Sequence, residues 1–401
     1  MIPFHKAKEI ILENAEALNS EKVHFLDAYH RVLAEDILSP IDLPHYNRSA
    51  MDGYAVRSQD IKNASHEHPA VLTVIDKIQA GYISHTKVEN STAIKIMTGG
   101  MLPEGADTIV IKEDTRLEGD RVFICKAIPS RKNICFIGED IKKRHLVLKK
   151  GAFIDPSHIG VFAALGISII PVYRKPKVAI LSTGDELLDI NDELEPGKVR
   201  NSNQYALYSL VQESDGVPHI LNPARDIEED LINKIQAGLE SDILLTTGGV
   251  SVGDFDLVGD VFKKLAITLY FTEIAVKPGK PVIFGKKNKT LVFGLPGNPV
   301  SAMISFYEFV RPAIFKMQNS NRKLWHEVEA IVAEDIKLKK DSRKILRTSL
   351  EERDGQFYVK LAAHQGSGNI LSMAWADSLL EVDEDTEIVP KGGKVKVRLL
   401  S

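Results

Sequence analysis

The stretch ILLTTGGVSVGDFD, residues 243–256, sets a short apolar run directly before three glycines, three hydroxyls and two carboxylates. A run of that length bounded by glycine reads as a buried strand, and Leu257–Leu265 after it carries helical spacing. The same strand, polar loop and helix order recurs on both sides. Upstream, Val178–Leu181 runs into Ser182-Thr183-Gly184-Asp185-Glu186. Downstream, Thr290–Gly294 runs into Leu295-Pro296-Gly297-Asn298-Pro299 and a helix expected over Val300–Lys316. Between them, Ser202 is expected to cap a helix through Ser214 stopped by Gly216. Val217–Leu221 and Leu269–Val276 read as strands, and Ile227, Leu231, Ile235 and Leu239 mark a helix face. Alternation of this kind predicts an α/β layer sandwich resembling a doubly wound sheet over residues 177–320.

The flanks have a different texture. Phe4, Ala7, Ile11, Ala15 and Leu18 predict an amphipathic helix at the start. From Pro40 to Lys150, short β-rich runs (Ala70–Lys77, Thr92–Met97, Thr108–Glu113, Arg121–Ala127) alternate with Gly, Asn and Asp turns. After Asn321 the runs Glu327–Ala333, Lys344–Ser349, Phe357–Leu361 and Val395–Leu400 predict a C-terminal β-barrel or sandwich. We therefore expect four regions: 1–45 with 141–176 as a helical, linker and dimerisation region; 46–140 as a β-rich domain; 177–320; and 321–401.

At 401 residues, with 44% hydrophobic and 26% charged side chains, the chain has enough apolar material for several cores, which excludes wholesale disorder. Fifty-one Lys and Arg against 55 Asp and Glu give a net charge of −4, so no global positive field points to nucleic acid. Cys125 and Cys135 cannot supply a C-x-x-C pair or four zinc ligands, and fit a reducing compartment. Ile159–Val172 is too short to span a membrane, and charges at Lys6, Lys8, Glu9, Glu13 and Glu16 break any signal-peptide core, so a cytoplasmic chain is expected.

In an open α/β sheet, anions bind where strand ends meet helix N-termini. Ser182-Thr183-Gly184 offers small residues beside a phosphate path. Asp185 and Glu186 suit either a divalent cation or the first turn of a helix. The Thr246–Asp256 loop fits neither the P-loop spacing nor G-x-G-x-x-G, which argues against a Walker-type ATPase or a dinucleotide dehydrogenase. Lys277-Pro278-Gly279-Lys280-Pro281 holds two ammonium groups three residues apart on a proline-stiffened segment, a pattern suited to an oxyanion or polyphosphate. Gly297 and Asn298 add donors at another strand end, although a rigid connection also explains that loop. Arg343, Lys344 and Arg347 with His364–Gly368 read either as surface charge or as an oxyanion pocket. No H-E-x-x-H occurs, and phosphate, oxyanion and hard-metal chemistry remain.

Taken in order, Ser49-Ala50-Met51-Asp52-Gly53-Tyr54-Ala55, Thr98-Gly99-Gly100, Gly138-Glu139-Asp140, Leu181–Leu187, Gly248-Gly249-Val250-Ser251, Lys277–Pro281 and Gly294–Pro299 resemble MoeA-type molybdopterin molybdenumtransferases, the family that includes the gephyrin E domain. The resemblance runs over essentially the whole chain. It implies a homodimer in which a central three-layer α/β sandwich of the molybdopterin-binding type lies between N-terminal β-rich regions and a C-terminal β-barrel. It also implies insertion of molybdate into adenylylated molybdopterin, with Mg²⁺-dependent release of AMP. By position, Asp185, Glu186, Asp242, Lys277 and Lys280 would be catalytic, and Asp185, Glu186, Asp254 and Asp256 would hold the metal. Ser182, Thr183, Gly184, Gly248, Gly249, Ser251, Pro296, Gly297, Asn298, Arg347 and Ser367 would line the substrate path, with Asp52, Thr98 and Asp140 arriving from a second copy. A molybdopterin adenylyltransferase is the implied substrate donor. Two other readings stay open: a noncatalytic gephyrin-like scaffold, and an adenylyltransferase acting one step earlier. One departure is visible: where many relatives carry an arginine before Gly138, this chain reads Asn133-Ile134-Cys135-Phe136.

Overall fold

A computed structural model describes residues 1–79, 81–249 and 257–400. Its contacts divide the chain into two compact units, Met1–Ala34 with Gly151–Ile159 and Ile169–Ser401, and Glu35–Lys150 with Gly160–Ser168.

The larger unit begins with α1 (Phe4–Asn14), whose Phe4, Ala7 and Ile11 are buried in the main apolar core, each of the larger two stabilising the fold by about 1.5–3 kcal/mol. The expected first region is thus divided, its helix packing into the α/β core. Within that core, strands β1 (Lys177–Ser182), β2 (Val217–Ile220) and β3 (Ile243–Thr247) alternate with helices α2 (Ser202–Glu213), α3 (Glu228–Gly238) and α4 (Leu257–Lys264). Then follow β4 (Thr268–Phe271), β5 (Val276–Lys277), β6 (Ile283–Lys287), β7 (Thr290–Leu295) and α5 (Pro299–Ser305). The sheet order is β2-β1-β3-β7-β6-β4. Its first four strands are parallel, and β6 runs antiparallel to both β7 and β4, so the sheet is mixed rather than uniformly wound.

Central strands of such a sheet are covered on both faces, which explains their unbroken apolar runs. Along β1, Ile180 packs with α1 and α2, whereas Ala179 and Leu181 pack with α3 and α4. Strand β6 was not anticipated. Its run is interrupted by Gly285, where an added Cβ would stand 2.8 Å from the Thr268 carbonyl oxygen, so the backbones approach too closely for any other residue.

The single helix expected over Val300–Lys316 is three pieces: α5, a π turn (Phe306–Val310) and α6 (Arg311–Met317). Pro312 lacks the N–H that an α-helix would direct to the Glu308 carbonyl, and the Arg311 N–H bonds the Phe306 carbonyl instead. The other helix limits also differ slightly. Asn201, not Ser202, caps α2 by accepting from the Gln204 N–H, and Asp215 (φ 59°), not Gly216, takes the left-handed position after it.

The C-terminal strands β8 (Glu327–Val332), β9 (Arg343–Arg353), β10 (Gln356–Leu361), β11 (Ser378–Val382) and β12 (Lys394–Leu399) run in the order β9-β10-β8-β12-β11, and β11 pairs back onto β9 to close a barrel. Strand β5 adds to its edge in parallel, with Val276 opposite Arg343 and Lys277 opposite Lys344. The lysine-bearing segment is therefore pinned to the barrel by its backbone.

The smaller unit holds a six-stranded sheet in the order Thr108–Ile111, Gly53–Val56, Thr92–Ile96, Ala70–Ile78, Arg121–Ile124, Thr115–Glu118. Gly53 sits where an added Cβ would lie 1.9 Å from the Val110 carbonyl oxygen, so only glycine lets these strands pair. No helix among the described residues is long and apolar enough to cross a membrane.

Candidate functional site

Strands β1, β3 and β7 are neighbours, so the polar loops at their carboxyl ends lie side by side. Buried Ser182 and Thr183 end β1, Thr247 and Gly248 end β3, and Pro296, Gly297 and Asn298 lead from β7 into α5. Gly248 (φ 96°) lies so close to β1 that a Cβ there would stand 2.4 Å from the Thr183 carbonyl oxygen. Asn203 ties the loops together, donating at 2.8 Å both to Thr247 Oγ1 and to the Gly297 carbonyl. Thr247 Oγ1 in turn donates to the Pro296 carbonyl.

The result is a crevice of about 360 Å³ lined by Thr183, Glu186, Arg200, Asn201, Asn203 and Gly248 among others. Among the described residues, Thr183 Oγ1, Asn201 Nδ2 and Asn203 Oδ1 are buried without a hydrogen-bond partner. Buried polar atoms left unpaired cost roughly 1–3 kcal/mol each, so three of them on one wall prepare it for a polar ligand that both donates and accepts.

At the crevice rim, Asp185 and Glu186 are exposed. Asp226, which the sequence reading missed, faces Asp185: its Oδ2 accepts from the Asp185 N–H at 3.4 Å, and the Asp226 N–H donates to Asp185 Oδ1 at 3.3 Å. Among the described residues no three His, Cys, Asp or Glu side chains converge as a metal cluster. Ser251, Asp254 and Asp256 lie outside the described residues.

Asp242 does not join this rim. It precedes β3 and so stands at the strand's amino end, where Arg174 grips both its oxygens at 2.5 and 2.6 Å and the Lys177 N–H donates to it at 2.8 Å. Asp242, which the resemblance implies to be catalytic, thus stands apart from the crevice, and its carboxylate ties the segment before β1 to the start of β3. Asp242→Asn should leave turnover within about twofold and lower stability by about 1–2 kcal/mol, since the pair is partly exposed. Denaturant melts and turnover assays on the same preparation check this, and a tenfold activity loss in a stable variant would restore the catalytic role.

A second cavity of about 730 Å³ lies between the β5 segment and the barrel, walled by Lys277, Lys280, Lys344, Arg347, His364 and Ser367 among others. Asn298 lines both cavities, and the Val300 N–H donates to the Ser367 carbonyl at 3.2 Å, so the barrel loop meets the start of α5. Gly279 (φ 102°) turns the chain between the two lysines, where a Cβ would press on Ser305 Oγ at 2.8 Å. Both lysines have acid partners absent from the sequence reading: Lys277 bonds Asp341, and Lys280 stands 3.3 Å from Glu273.

Arg347 is different. Its residue is 1% exposed, Nε donates to Ser372 Oγ at 3.1 Å and Nη2 to the Gly366 carbonyl at 3.2 Å, and no carboxylate pairs with it among the described residues. Burial pushes its pKa down to about 10, which still leaves it charged at neutral pH.

In the smaller unit, Asp52 Oδ1 accepts from both the N–H and the hydroxyl of Thr98 at 2.8 Å, the backbone bond being the main cause holding its carboxyl below the usual aspartate range. Asp140 is exposed, its N–H bonded to the Leu43 carbonyl at 2.9 Å.

Three family matches cover the chain in order: "MoeA N-terminal region (domain I and II)" over residues 2–166, "Probable molybdopterin binding domain" over 179–316, and "MoeA C-terminal region (domain IV)" over 329–400. The molybdopterin molybdenumtransferase of Bacillus subtilis is 33% identical over 404 residues, covering 100% of this chain and 94% of its own. That of Haemophilus influenzae is 33% identical over 409 residues, covering 99% and 98%. Among solved structures, the molybdopterin biosynthesis moeA protein from Pyrococcus horikoshii superposes with a TM-score of 0.85 at 32% identity, covering all of both chains.

Proposed function

The chain belongs to the MoeA family and is a molybdopterin molybdenumtransferase, and on that basis we propose that the crevice at the strand ends takes adenylylated molybdopterin while the cavity beside it takes molybdate. The observation that carries this reading is the shared wall: Asn298 lines both spaces, so the two substrates would meet with their charges close together. Polyphosphate and a molybdate dianion repel, and Lys277, Lys280, Lys344 and Arg347 offset that cost from one side.

In this scheme the unpaired Thr183, Asn201 and Asn203 atoms hold the pterin nucleotide through neutral hydrogen bonds. Gly248 and Gly249 leave room for it at the β3 end. Carboxylate oxygens suit a hard cation by their chemistry, and Asp185, Glu186 and Asp226 would hold Mg²⁺ only together with Asp254 and Asp256. Bound there, Mg²⁺ would neutralise charge on the phosphoanhydride as AMP leaves. Asp52, Thr98 and Asp140 would be supplied by a second copy in a homodimer. We further propose a cytoplasmic enzyme that receives its substrate from a molybdopterin adenylyltransferase.

The test is to incubate the purified protein with adenylylated molybdopterin, molybdate and Mg²⁺, following AMP and metallated cofactor. AMP release should require both molybdate and Mg²⁺. Absence of AMP from a folded protein that still binds the nucleotide would instead favour a scaffold.

A further inference from the structure

Asp341, on the wall of the larger cavity, is engaged by two of its lysines: Lys277 Nζ bonds one carboxylate oxygen and Lys344 Nζ lies 2.8 Å from the other. Ser342 Oγ donates to that second oxygen at 2.9 Å and holds the carboxylate in place. These bonds keep Asp341 ionised well below the usual aspartate range. One negative charge thus already occupies the two cations that an entering oxyanion would seek.

The two lysines are not equivalent. Lys344 is 8% exposed and also donates to the carbonyls of Lys339 and Ser342, so its head is fixed. The Lys277 side chain is 56% exposed, and its backbone is held by the pairing of β5 with β9, leaving only the side chain free to swing. Glu273, the partner of Lys280, does not line the cavity.

We propose that Asp341 is a built-in counter-anion. It holds Lys277 and Lys344 while the cavity is empty, and an entering tetrahedral dianion must displace it from Lys277 to bind. This rests on reading the cavity as the molybdate site. A monovalent carboxylate is a weaker partner for paired cations than a dianion, so exchange runs forward once Arg347 also engages the ligand. The same competition shortens the stay of any small dianion that lacks a further reaction to drive it on. An abundant inorganic oxyanion therefore does not plug the site.

The sign of the effect makes this testable, because damage to a binding wall lowers affinity and loss of a competitor raises it. Molybdate alone is titrated calorimetrically into the full-length protein. Asp341→Asn should bind it about 3- to 10-fold more tightly than the unaltered chain, with KM for molybdate falling in parallel. The gain should shrink when Lys277→Ala is added, since the competition acts through that lysine. Asp341→Ser gives the same readout should the Asn variant fold poorly. Unchanged or weaker binding in a folded Asp341 variant overturns the proposal. If Lys277→Ala and Arg347→Ala themselves leave molybdate affinity untouched, it is the assignment of the cavity that fails instead.

Discussion

Glu308→Ala is expected to lower the stability of the larger unit by about 2–4 kcal/mol, the upper part of the range for point changes, because it takes the acid partner from Lys8 and one of those of Arg398 in a mostly buried setting. The π turn aims this side chain into the core, where it has no exposure; Lys8 of α1 bonds one oxygen and Arg398 of β12 donates to the other at 3.0 Å. Arg398 continues to Glu381, and Glu381 to Arg343 at the start of β9. One carboxylate thus joins the N-terminal helix, the α/β core and the barrel. Lys8 and Arg398 keep about a fifth of their side-chain surface in water, which moderates the loss. Denaturant titration at constant m-value measures it. A loss below about 1 kcal/mol would mean that water or Glu381 compensates the two cations. Replacing Lys8, Glu308 and Arg398 together by Met should be far milder than Glu308→Ala, since no charge is then left unpaired.

The parts of this fold that were legible are those in which local sequence and tertiary setting ask for the same thing. Val178–Leu181, Ile243–Leu245 and Leu291–Phe293 are apolar throughout because neighbours cover both their faces, and each runs into a glycine-bearing loop. Strand Ile283–Lys287 was not legible, because a glycine and two lysines interrupt its pattern. Strand Ser378–Val382 was missed as a five-residue run ending next to acids, its place fixed by barrel closure.

At the site, the loops were readable from their composition, whereas the partners Asp341, Glu273 and Asp226 were not. They meet the lysines and Asp185 only through tertiary contact, and no local period marks them. Asn201 carries a signal, a side-chain acceptor directly before a helix, but its neighbour Ser202 carries the same one. The place of Asp242 was also legible. A residue preceding an apolar strand of a parallel sheet sits at the amino end, away from the edge where ligands bind.

Arg347→Ala is expected to reduce molybdate-dependent turnover by about 100-fold or more, and Arg347→Lys to recover little of it. The guanidinium is fixed by two donor contacts, one to Ser372 Oγ and one to the Gly366 carbonyl. A lysine head cannot make both and still face the cavity. Of Arg347, Lys277, Lys280 and Lys344, Arg347 alone has no acid partner among the described residues, so its field is available to an oxyanion from the first encounter. With its pKa pushed down to about 10, it is protonated across pH 6–8, and the variant's deficit should be flat over that range. Measured as kcat/KM for molybdate, the loss should leave nucleotide affinity nearly unchanged, because Arg347 does not line the crevice. A deficit under tenfold in a folded variant would assign the oxyanion to the lysines alone. Stability should move the other way. A buried cation without a counter-charge is a desolvation cost to the fold, so Arg347→Met should denature at the same or a higher concentration of urea while losing turnover, the pattern expected where charge is kept for chemistry.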